Sequence, residues 1–223
     1  MIKLSTSMMC ANYFSLESQI KIIDSYTDYY HIDVMDGNYV ENIALSVDYI
    51  KQLKEIAHKP IDVHLMVNNP LSYIDKLINI QVNSICVHEE VVLNSIFRLI
   101  DKIKKNHIKF GLAISPSMRI DTVEILLPYI DKLTIMTVEP GFAGQQMIKD
   151  VLPKIEILKE LKTNNNYSYV LEIDGSNNFE TFNEYVNRGA EQLILGSALF
   201  NNNNIEEGYV SIRNYVDSIS ACK

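Results

Sequence analysis

The sequence predicts an α/β fold, a single TIM-type (β/α)8 barrel spanning residues 1–223, and three observations carry that reading. Short apolar runs rich in β-branched residues recur along the whole chain, stretches with helical spacing lie between them, and no Gly/Ser/Pro linker or charge block divides them. The runs expected as buried strands are residues 3–9, 29–34, 61–66, 84–88, 109–114, 132–136, 169–173 and 192–195. Between the second and third, Ser46 is a candidate N-cap for a helix whose apolar face is Ile50, Leu53 and Ile56. After the third, Asn69-Pro70 reads as a helix start with Pro at the first helical position. After the sixth, Ile155, Leu158 and Leu161 form the apolar face of a helical segment beginning near Lys149. The Asn-rich patches 164–166 and 201–204 fall where turns are needed. About eight strand and helix alternations in 223 residues favour a closed barrel over the alternative, an open doubly wound sheet.

Composition narrows the function. With 47% hydrophobic and 22% charged residues, the chain is rich enough in apolar side chains to pack a large core, and no run approaches the ~18 apolar residues of a membrane span. Twenty Lys and Arg against 28 Asp and Glu leave a net charge of -8, which repels a phosphate backbone, so neither nucleic acid nor membrane is an expected partner. Cys10, Cys86 and Cys222 are far apart and odd in number, against a disulfide framework or thiolate zinc site. With no secretory pattern at Met1 to Ser7, the expected location is the cytoplasm.

In a barrel, chemistry belongs at the carboxyl ends of the strands. The second run ends His31-Ile32-Asp33-Val34-Met35-Asp36-Gly37, and a period of two puts His31, Asp33 and Met35 on one face. The third ends Asp62-Val63-His64-Leu65-Met66, placing Asp62, His64 and Met66 together; the seventh ends with Asp174 at the strand-to-loop junction. His31, Asp33, His64 and Asp174 can therefore meet in one mouth, and two neutral imidazoles with two carboxylates suit a divalent ion. Taken singly, His58, His88 and His107 read as structural or solvated. Burying His31 and Asp33 in an apolar strand, however, costs several kcal/mol unless they are paired or metal-bound. Met35, Met66 and Met136 serve either as plain barrel filling or as a soft wall around a reactive anion.

A second constellation suits phosphate. Gly141, Phe142, Ala143 and Gly144, in the loop Glu139-Pro140-Gly141-Phe142-Ala143-Gly144-Gln145, can bring backbone N–H groups close to an anion. Gly175-Ser176 and Gly196-Ser197 follow the last two strands, where many barrels bind phosphate near a short helix N-terminus; the plain alternative is that these glycines only make turns.

Together the His31 to Gly37, Asp62 to Met66, Val138 to Gln145 and Ile173-Asp174-Gly175 motifs resemble the ribulose-phosphate 3-epimerase family, from Lys3 to about Phe200. The resemblance implies a ribulose-phosphate binding barrel. It matches His31, Asp33, His64 and Asp174 to the family's metal ligands, Asp33 and Asp174 to its acid/base pair, and Ser7 to a residue near the substrate. The phosphate contacts fall on Gly144, Gly175, Ser176, Gly196 and Ser197. It further implies one divalent ion (zinc, manganese, iron, cobalt or magnesium), no organic cofactor, and a homo-oligomer, dimer or hexamer. Within the family, Ser176, Ala143 and Met136-Thr137-Val138 look more like the D-allulose-6-phosphate 3-epimerase branch. The substrate expected from them is D-allulose 6-phosphate, giving D-fructose 6-phosphate; the alternative is D-ribulose 5-phosphate, giving D-xylulose 5-phosphate. Thr6 and Glu41 replace prolines usual in the family, Ser115 replaces an Asn, and Asn38 a His. From other classes, a metal-dependent hydrolase and a non-catalytic sugar-phosphate binder remain. The hydrolase is disfavoured by the phosphate grip and the lack of a His-x-His pair, the binder by the two acid/base carboxylates.

Overall fold

Alternation along eight short strands sets the architecture. In the computed structural model, which describes residues 1–221, the strands are β1 (Lys3–Ser7), β2 (Tyr29–Met35), β3 (Ile61–Met66), β4 (Ser84–His88), β5 (Lys109–Ile114), β6 (Lys132–Met136), β7 (Val170–Asp174) and β8 (Gln192–Leu195). All pair in parallel, in sequence order, and β8 returns to β1 to close the barrel. Closure excludes the open doubly wound sheet. Cys222 lies outside the described residues, and no described helix is long and apolar enough to cross a membrane.

The helices are α1 (Leu16–Ile23), α2 (Val47–Ile56), α3 (Leu71–Ile80), α4 (Ile96–Lys105), α5 (Leu152–Asn164), α6 (Phe182–Arg188), α7 (Ser197–Phe200) and α8 (Ile205–Ala221). Ser46 caps α2 as expected, its hydroxyl accepting from the Tyr49 N–H at 3.2 Å. Three expectations shift. The first strand stops at Ser7, because Met8–Cys10 turn into a 3-10 helix. Pro70 is the residue before α3 rather than its first residue. Between β5 and β6 the chain forms only 3-10 turns, Ile120–Thr122 and Glu124–Tyr129; Pro128 within the latter has no N–H to give an α-helical bond.

The two faces of the strands have opposite chemistry. Ile32, Val34, Val63, Leu65, Ile85, Val87, Leu112, Leu133, Ile135, Ile173 and Leu193 are all buried in the single large apolar core. Many of their neighbours in sequence point into the bore and are polar: side chains on non-adjacent strands meet there, Asp62 of β3 with Lys132 of β6 and Cys86 of β4 with Thr134 of β6. The bore is thus a hydrogen-bonded interior, unlike the branched aliphatic filling usual in this fold. Gly111 belongs to this packing, since a Cβ there would lie 3.0 Å from that of Cys86.

Candidate active site

Register places the site. His31 pairs with Asp62 and Asp33 with His64 across β2 and β3, while Met136 pairs with Asp174 across β6 and β7. One ligand atom from each of His31, Asp33, His64 and Asp174 lies within 4.8 Å of every other, so the barrel brings together the four residues read from strand ends. His31 Nε2 is 3.2 Å from Asp33 Oδ1 and 3.9 Å from Asp174 Oδ2. His64 Nδ1 is 3.5 Å from Asp33 Oδ1 and 3.4 Å from Asp174 Oδ2.

These two ring nitrogens bear on what the cluster could hold. Both are fully buried and, despite the short distances, neither makes an aligned hydrogen bond among the described residues. An orphaned buried nitrogen is costly, and two aimed at the same pair of carboxylates fit a shared cation. The opposite nitrogen of each ring is engaged. His31 Nδ1 lies 3.0 Å from Asp62 Oδ2, and His64 Nε2 lies 3.0 Å from His88 Nε2. His88 Nδ1 continues to Ser115 Oγ at 3.2 Å, and Ser115 donates to Glu90 Oε1 at 3.1 Å. Burial and the neighbouring His64 hold His88 well below its ordinary pKa, so it is a neutral acceptor for the His64 Nε2–H, which leaves Nδ1 free for a ligand.

Without a cation the cluster binds protons. Burial disfavours charge on His31, but Asp33 and Asp62 outweigh it and raise its pKa well above the ordinary value. His64 is also raised, burial being overcome chiefly by Asp174 and Asp33. Burial would raise Asp33, yet His31 and His64 bring it well below the carboxylate range. Ser7 steadies Asp33 by donating to Oδ2 at 2.7 Å.

Above this floor the mouth is lined by every residue expected to meet substrate: Ser7, Met35, Met66, Met136, Gly141, Phe142, Ala143, Gly144, Gly175, Ser176, Gly196 and Ser197, with Asp33 and Asp174. Gly175 has φ +111, and a Cβ there would fall 2.6 Å from Val138 Cγ2, so only glycine turns the chain directly after Asp174. Thr137 Oγ1 donates to the Gly175 carbonyl at 2.7 Å, and the Tyr185 hydroxyl donates to Thr137 Oγ1 at 3.1 Å. Ser176 itself is left-handed, φ +46. Val138, Glu139 and Gln145, from the motif that carries the glycine loop, also line the mouth, and so do Met9, Cys10, Asn177 and Ile194, which were not found from the sequence. Burial, then the charges of Asp33 and Asp174, push the Cys10 thiol up to about 12, so it stays a neutral wall. His88 is hydrogen-bonded as expected, but its partner being a site histidine was not foreseen.

The fold and this mouth define a (β/α)8-barrel enzyme. The model of the ribulose-phosphate 3-epimerase family matches residues 3–200. Ribulose-phosphate 3-epimerase of Methanocaldococcus jannaschii is 33% identical over 214 residues, covering 96% of this chain and 90% of the relative. That of Bacillus subtilis is 33% identical over 215 residues, covering 96% and 99%. Orotidine 5'-monophosphate decarboxylase of Sulfolobus solfataricus, at TM-score 0.71 and 14% identity over 98% of this chain and 99% of that one, shares the fold. The chain belongs to the ribulose-phosphate 3-epimerase family and is an isomerase, a ketose-phosphate 3-epimerase. These relatives support the five-carbon alternative better than the six-carbon sugar read from Ala143, Ser176 and Met136-Thr137-Val138.

Proposed function

We propose that this enzyme interconverts D-ribulose 5-phosphate and D-xylulose 5-phosphate, with Asp33 and Asp174 as the acid/base pair and His31, Asp33, His64 and Asp174 as ligands of one divalent ion. The observation that carries this is the meeting of two carboxylates from β2 and β7 around two unpartnered imidazole nitrogens. Inversion at C3 removes a proton from a carbon beside the C2 carbonyl and returns one to the opposite face, so two groups must flank that carbon. Asp33 and Asp174 approach from separate strands and satisfy this. At any instant one must be ionised and the other protonated, and they exchange these roles with each turnover.

A divalent ion, zinc, manganese, iron, cobalt or magnesium, would be held by His31, Asp33, His64 and Asp174 and would supply Lewis acidity to the reacting ketose. Ser7 holds Asp33 in place through its 2.7 Å bond. Met35, Met66 and Met136 line the reacting carbons with thioethers that carry no exchangeable proton, so none competes with the two acids. No Lys or Arg lines this mouth among the described residues, so the donors assigned to the phosphate are backbone N–H groups and hydroxyls around Gly144, Gly175-Ser176 and Gly196-Ser197.

Side-by-side kinetics with D-ribulose 5-phosphate and D-allulose 6-phosphate, across several divalent metals, tests the substrate. The expected result is a higher kcat/KM for the pentulose; a clear preference for the hexulose would return the six-carbon reading and leave the epimerase chemistry standing.

A further inference from the structure

Below the four candidate ligands lies a second buried group, His31, Asp62 and Glu172, whose ligand atoms also fall within 4.8 Å of one another. On composition alone it is another cation site. Its geometry says otherwise, because the Lys132 ammonium touches both carboxylates, Asp62 directly and Glu172 Oε1 at 2.9 Å. A fixed cation of the chain itself already stands where a second ion would go.

The rest of the layer is completed by hydrogen bonds. Ser84 Oγ donates to Asp62 Oδ1 at 2.6 Å, Thr134 Oγ1 donates to Glu172 Oε1 at 2.8 Å, and Gln192 donates to Glu172 Oε2. Asp62, Lys132, Glu172 and Gln192 are all buried, so no solvent relaxes this arrangement. Of the two carboxylates, only Asp62 is hydrogen-bonded to His31, from Oδ2 to Nδ1 at 3.0 Å, and it is the register partner of His31 on the next strand.

We propose that Asp62 is a positioning residue for the metal centre: held by Lys132 and Ser84, it fixes His31 as the Nδ1–H tautomer and turns Nε2 toward Asp33, His64 and Asp174. The proposal rests on the metal reading above. Carboxylate partners of this kind orient ligating imidazoles and raise their basicity. Lys132 has a second consequence, since its charge excludes a divalent ion from the lower group and leaves one ion for the two groups found among the described residues.

The test measures metal rather than turnover. Zn2+ affinity and stoichiometry are determined by chelator competition on the wild-type chain, Asp62→Asn and Glu172→Gln, with Co2+ absorption as a report on ligand geometry. Asp62→Asn leaves Lys132 paired with Glu172, so it strands no buried charge. Expected are one ion per wild-type chain, affinity ~10–100-fold weaker in Asp62→Asn with an altered Co2+ spectrum, and near wild-type affinity in Glu172→Gln. Unchanged affinity in Asp62→Asn, equal losses in both variants, or two ions per chain would overturn the proposal. Should Asp62→Asn not fold, long-range proton–nitrogen NMR of the zinc-loaded wild type decides it: an Nδ1–H ring at His31 supports the proposal and an Nε2–H ring overturns it. A wild-type chain that bound no divalent ion would instead overturn the metal reading, and this proposal with it.

Discussion

Asp33 and His64 are register partners on adjacent strands, and their side chains face each other across the barrel mouth with His64 Nδ1 3.5 Å from Asp33 Oδ1. The pairing joins a proposed acid/base group to a proposed metal ligand, so disturbing one disturbs the other.

Truncating the ring separates the two roles. His64→Ala is expected to lower metal occupancy chiefly, because Asp33, Asp174 and His31 remain, and excess metal should partly restore activity. Metal content measured after dialysis checks this; occupancy equal to wild type would remove His64 from the ligand set.

Asp33→Asn and Asp174→Asn should each lower kcat by ~10²–10⁴-fold while circular dichroism stays that of the folded barrel. The amide keeps the shape of the side chain but cannot carry the proton. Near-normal turnover in either variant would exclude that residue from proton transfer.

The metal-free cluster gives a pH dependence with a definite sign. His31 and His64 are raised, so their protons persist to higher pH and must leave when metal binds. Apparent metal affinity should therefore fall as pH falls below those raised values, up to ~tenfold per pH unit for each proton displaced. The same shifts stabilise the metal-free fold at low pH and lose that contribution as pH rises through the raised values, while Asp33, lowered, contributes above the ordinary carboxylate range. Chelator competition and thermal melts of the metal-free protein at several pH values check both; an affinity independent of pH would contradict the proton-filled cluster.

Gly175 should tolerate no side chain. With φ +111 and Val138 Cγ2 2.6 Å from any Cβ, Gly175→Ala is expected to cost ~1–3 kcal/mol and to displace the adjacent Asp174, lowering both Tm and kcat. A variant with wild-type Tm would show that the turn relaxes freely.

The strands were legible because each carries outward branched residues, and seven of the eight expected strands start and end within one residue of the observed ones. The observed strand is shorter than residues 3–9 because Met8 and Met9, as apolar as a strand, form a 3-10 helix that sends Met8 into the core and Met9 into the mouth. His31, Asp33, His64 and Asp174 were legible because a period of two aligns them at strand ends. The layer beneath was not, since Asp62 and Lys132 are 70 residues apart and meet only across the closed bore. One signal was available: Asp62 and Glu172 lie inside apolar runs and Lys132 begins one, positions where an unpartnered buried charge would be too costly to keep.

The most direct test of the central claim is proton exchange at C3. Incubated with D-ribulose 5-phosphate and a divalent metal in deuterated water, the protein should form D-xylulose 5-phosphate with deuterium at C3, and Asp33→Asn and Asp174→Asn should each slow this by ~10²–10⁴-fold. Bound substrate with no exchange, as a mere sugar-phosphate binder would give, or release of inorganic phosphate in place of the epimer, as a hydrolase would give, would contradict the account.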